Sequence, residues 1–68
     1  MTYEKLFYLK FRKGVSTYEL VRRYPEAVHQ VSEVALLDLP ETTLKEILRE
    51  EKSFDRLMQL KKRFSRFL

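Results

Sequence analysis

Apolar residues recur along this chain at helical spacing, and polar caps, a glycine and two prolines punctuate them. The clearest stretch is Phe54–Leu68. Wound at about 100° per residue, Leu57, Leu60, Phe64 and Phe67 form one stripe, widened by Phe54, Met58 and Leu68. Arg56, Lys62, Arg63 and Arg66 fall on the opposite side with Gln59 among them, and no acid follows Asp55. One face of this helix calls for a core or a partner, and the other for an anion.

The same reading from the N-terminus predicts further helices. Thr2 caps a first one over Leu6, Phe7, Leu9 and Phe11, which runs through Arg12 or Lys13 and stops at Gly14. Its aromatic density would also suit a strand. Ser16-Thr17-Tyr18-Glu19 reads as a capping box, with Ser16 accepting from the Glu19 amide and the Glu19 carboxylate reaching back. It opens a short second helix carrying Leu20, Val21 and Tyr24. Pro25 disfavours a helical Tyr24 and breaks the chain there. Ala27, Val28, Val31, Val34 and Ala35 then mark a third helix to about Leu37.

Asp38 is the expected N-cap of a fourth helix, with Pro40 in its first turn and Leu44, Ile47 and Leu48 on its apolar side. Glu41 and Lys45 make a favourable pair one turn apart. Either Ser53 caps a fifth helix, or the fourth and fifth form one rod, because Glu50-Glu51-Lys52 holds no breaker. No segment sustains strand alternation. The expectation is a single all-α domain over residues 1–68, a small bundle of four to five short helices.

Composition sharpens this picture. A chain of 68 residues buries only about 60% of the surface it exposes when unfolded, so its stability margin is thin. Cysteine is absent, which removes disulfides and thiolate metal sites. Four Tyr and five Phe supply the apolar area that a small core otherwise lacks, and dimerisation is another way to bury them. No apolar run approaches the ~20 residues that span a bilayer, and no signal-type apolar region follows Met1–Lys5. The expected location is cytoplasmic. Charge is laid out in blocks: residues 1–24 carry six basic and two acidic side chains, residues 25–44 four acidic and no Lys or Arg, and residues 45–68 eight basic and four acidic. The acidic middle complements the basic ends, within one fold or across a dimer.

Candidate chemistry is sparse. His29 is the one histidine, and with Glu33 one turn away it supplies two ligands where a zinc site needs more. Glu46, Glu50, Glu51 and Asp55 are interleaved with Lys and Arg, the pattern of a solvated helix face rather than an acid–base pair. The lone Gly14 excludes glycine-rich phosphate loops. We therefore expect no catalytic residues, no metal, no cofactor and no enzyme activity.

Binding is the better expectation. Ser16–Leu37 resembles a helix-turn-helix in outline: Glu19–Tyr24, a break, then Glu26–Val31 leading to Val34. Val21 takes the small apolar position of the first helix, and Val31 and Val34 the core positions of the second. Pro25 stands where the turn usually has Gly, and the second helix carries Glu26, Glu33 and Asp38 with no Lys or Arg, which is unfavourable beside phosphates. His29, Gln30 and Ser32 can still hydrogen-bond base edges. The bland reading is an ordinary helical hairpin. Lys10, Arg12 and Lys13 at one end, with Arg56, Lys62, Arg63 and Arg66 at the other, are candidate phosphate contacts. Two functions follow. The first is a small regulatory protein that binds nucleic acid, DNA above all, as a dimer. The second is an interaction module that docks the Leu57, Leu60, Phe64 and Phe67 stripe, or the acidic Glu26–Glu41 region, on a larger regulatory protein. A membrane-surface role for the last helix is the least favoured, since so short a chain needs that stripe for its core.

Overall fold

A computed structural model describes all 68 residues, and every regular element in it is helical. Helix α1 spans Tyr3–Phe7, with the Thr2 hydroxyl accepting from the Lys5 amide at 3.2 Å. It continues without a break into a π-helical turn, Tyr8–Arg12, closed by the Lys13 amide donating to the Tyr8 carbonyl at 3.1 Å. The alternative of a strand over Leu6–Phe11 is not taken. Gly14 ends this element at φ 70°, the left-handed conformation that glycine reaches without a Cβ penalty.

Helix α2, Thr17–Arg23, starts at Ser16, whose hydroxyl accepts from the Glu19 amide at 3.1 Å. Half of the expected capping box forms. The Glu19 carboxylate turns outward instead and takes hydrogen bonds from Arg22 and Arg23, because charged donors bind a carboxylate more strongly than a backbone amide does. Tyr24 leaves the helical region (φ −129°, ψ 66°) ahead of Pro25, and a 3-10 turn over Pro25–Ala27 feeds α3, Val28–Leu36.

Helix α4 covers Glu41–Ile47, and its start corrects the sequence reading. Pro40, not Asp38, occupies the cap position, and no side chain caps the helix. Asp38 is drawn away by Lys10, whose ammonium lies 2.8 Å from its carboxylate. Lys45 likewise lies over the Phe54 ring, 5.4 Å from its centroid. Ile47 is 53% exposed, so the buried side of α4 is reduced to Leu44, with Leu48 half-buried.

Helix α5, Glu51–Arg63, is separate from α4. Leu48 turns out of the helix (φ −91°, ψ 84°), and Glu50 stands at the new N-cap, which leaves Ser53 inside the first turn. The break bends the chain back so that Leu57 and Phe64 are buried. A 3-10 turn, Ser65–Phe67, ends the chain.

The core joins the two ends of the sequence. Leu6 and Phe7 from α1, Leu20 from α2, Ala27 and then Val31 and Val34 of α3, and Phe64 after α5 form one cluster. Phe64 stacks on Phe7 at 4.9 Å, and Phe7 meets Phe11 at 5.6 Å. Burying each of the Leu, Val and Phe side chains of the cluster contributes about 1.5–3 kcal/mol. Leu44 and Leu57 are buried outside this cluster.

Candidate functional site

The cations split into two groups according to what the fold sets beside them. Lys10 is inward and only 11% exposed, held by Asp38 and by the Thr17 hydroxyl at 3.3 Å. Arg56 donates to the Tyr3 hydroxyl at 3.2 Å and lies 3.4 Å from Glu33, whose carboxylate also accepts from Tyr3 at 2.7 Å. This triad ties α1, α3 and α5 together. Burial, then the Glu33 acceptor, raises the Tyr3 hydroxyl above its ordinary pKa. Lys10 and Arg56 are thus occupied in holding the fold.

Arg12, Lys13 and Arg66 differ. The Arg12 guanidinium donates through Nη2 to the backbone carbonyl of Arg66, across 54 positions of sequence. A carbonyl fixes the side chain without cancelling its charge. Arg66 lies over the Phe67 ring at 4.6 Å and 3.0 Å from the Glu4 carboxylate. Lys13 is exposed and sits 5.6 Å from the Tyr8 ring centroid. Tyr8 in turn meets Phe67 edge-to-face at 6.3 Å and 76°. Two basic ends, far apart in sequence, therefore meet around one aromatic pair.

Beside Tyr8 and Phe67 lies a shallow cleft of about 340 Å³, whose other lining residues are Thr2, Glu4 and Lys5. Arg63 stands at the rim of a neighbouring hollow with Thr2, Tyr3, Glu4, Gln30 and Phe64, its guanidinium 5.3 Å from the Phe64 ring. Lys62 is exposed and has no ion-pair partner. Glu4 is the acid that intrudes on this basic face, and its partner is Arg66.

The other sequence candidates lie elsewhere. Gln30 is half-buried and donates to the Met1 carbonyl at 2.8 Å, so it holds the N-terminus rather than facing outward. The exposed side of α3 presents His29 and Ser32, with Glu26 in the turn before it, and no cation. Leu57 and Phe64 are 3% and 6% exposed, with Leu60 and Phe67 half-buried, so the α5 stripe is taken up by the protein's own packing. His29 and Glu33 do not converge on a metal site, and no group of three or more His, Asp or Glu comes together.

Tyr8, Glu4 and Lys5 carried no signal in the sequence. The widened π turn sets the direction of Tyr8, and no spacing rule announces such a turn. Comparison with known protein families, with characterised proteins and with solved structures yields no match. No helix is long and apolar enough to cross a membrane.

Proposed function

We propose that this protein binds nucleic acid through its phosphate backbone, on the face formed by Arg12, Lys13 and Arg66 with Arg63 alongside. The observation that carries the reading is the Arg12 hydrogen bond to the Arg66 carbonyl, which ties the two basic ends together and leaves the Arg12 charge without an acidic partner. Placing cations side by side costs free energy unless solvent or an anion offsets it. Phosphate is the anion that arginine forks and nearby lysines match. The competing interaction-module reading uses either a free apolar stripe on α5 or the acidic Glu26–Glu41 region, and the burial of Leu57 and Phe64 weighs against the stripe. A regulatory role fits a chain in which we identify no catalytic group, since occupancy of the nucleic acid is then itself the output.

The test is a binding titration with labelled oligonucleotides between about 50 and 200 mM salt. Affinity is expected to fall along a log–log line with a slope of about −0.9 for each duplex phosphate neutralised, or about −0.7 for a single strand. Replacing Arg12 and Arg66 by Ala flattens that slope and weakens binding to every sequence alike. Arg56→Ala, which removes a cation tied to Glu33, leaves the slope unchanged. Failure to bind duplex or single strand at low salt removes the proposal.

A further inference from the structure

We infer that the nucleic acid taken on this face is single-stranded, with one base stacked on Tyr8. The inference rests on the phosphate-binding reading and adds to it what the cleft contains besides charge. Cations alone do not distinguish a duplex from a single strand, since both present phosphates. An accessible aromatic face does distinguish them. In a duplex each base is stacked on its neighbours and has no face to offer, whereas a single strand presents bases that stack on aromatic side chains regardless of sequence.

Tyr8 has the surroundings such a platform requires. Its ring is 40% exposed at the wall of the cleft and is braced by the edge of Phe67, which fixes its plane. Arg12, Lys13 and Arg66 are grouped around this pair. The Lys13 ammonium lies over the Tyr8 ring, on a flexible exposed stem. A stacked base takes that position, and the ammonium shifts to an adjoining phosphate. Tyr18 is more exposed, at 78%, yet no cation lies over its ring, so exposure alone does not make a platform.

Duplex readout lacks the element it needs. A helix that enters the major groove presents base-reading side chains together with phosphate contacts. Here α3 has no Lys or Arg, and Gln30 is turned to Met1. The arginines of α2, Arg22 and Arg23, are both paired with Glu19. Glu4 has a defined part in the same face. It holds Arg66 at 3.0 Å, so a phosphate must displace it to reach that guanidinium. Glu4 therefore limits affinity, and removing its charge strengthens binding.

The experiment compares a short single-stranded DNA, a single-stranded RNA of the same sequence and the corresponding DNA duplex, by fluorescence anisotropy of the labelled strand. One or both single strands are expected to bind at least about fivefold more tightly than the duplex, the low end of what one stacked base contributes. The two single strands together show whether the backbone sugar matters. Tyr8→Phe keeps the preference, while Tyr8→Ala and Tyr8→Leu abolish it. The leucine variant retains apolar contact with Phe67, so its loss reports the ring face rather than the fold. Glu4→Gln raises single-strand affinity. Equal or tighter binding of the duplex overturns the inference while leaving phosphate binding in place. So does a single-strand preference that survives Tyr8→Leu in a variant with the parent circular dichroism spectrum. Binding to none of the three overturns both.

Discussion

Phe64 shows what one residue does in a core this small. It is 6% exposed, stacks on Phe7 and fastens the end of α5 to α1. Phe64→Ala is expected to cost about 3–5 kcal/mol, the range for a buried Phe, which is a large part of what so short a chain has to lose. Thermal melting followed by circular dichroism should show a much lower midpoint or no folded baseline. A variant melting like the parent would falsify the placement. Glu19 makes a different residue-scale prediction. Hydrogen bonds from Arg22, then Arg23, hold its carboxyl down to about 2. A group whose folded pKa is depressed contributes stability that is present above its ordinary pKa of about 4.5 and fades as pH falls toward about 2. An NMR titration should therefore place the Glu19 carboxyl midpoint near 2, and replacing both arginines by Gln should return it to the ordinary range. A midpoint near 4.5 in the parent would show those hydrogen bonds to be absent in solution.

Among the elements, α4 is held least. Its seven residues bury one side chain, Leu44, and no side chain caps its start. Ile47 stands 53% exposed at its end. By contrast α3 buries Val31 and Val34, and its Glu33 is bonded to both α1 and α5. Local opening follows such differences in buried contact. Hydrogen exchange is thus expected to be fast across the α4 amides and slow across α3. Equal protection in the two would mean that α4 opens only with the whole molecule. The break between α4 and α5 belongs to this scale too. A continuous rod would keep the hydrogen bonds lost at Leu48–Glu50 but would carry Leu57 and Phe64 away from the sites where they are buried. The burial of those two side chains outweighs the lost turn.

At the scale of the molecule, the separated charge blocks of the sequence become a division of labour. Asp38 and Glu33, from the acidic middle, neutralise Lys10 and Arg56 and so help close the fold. Arg12 and Lys13, which have no acidic partner, and Arg66 gather where the two basic ends meet. Glu4, which pairs with Arg66, is the only acid that pairs with any of those three. The proposed binding face is thus the residue of an internal pairing, and its strength depends on which acids the fold uses elsewhere.

The sequence by itself determined the features governed by local backbone chemistry. Thr2 and Ser16 accept from amides three residues on, Gly14 takes the left-handed turn, and Pro25 ends α2, because each depends only on near neighbours. The stripe of Leu57 and Phe64 was legible for a similar reason, since helical spacing fixes which side chains share a face. Only the tertiary structure decided where Asp38 and Gln30 direct their polar groups. Each has a local use and a competing one: Lys10 sits 28 positions from Asp38 and Met1 29 from Gln30, and packing alone brings them within reach. The meeting of Arg12 with Arg66 around Tyr8 was illegible on the same ground. It requires the core to draw the chain's two ends together, and a widened turn to aim a ring that no periodicity marks.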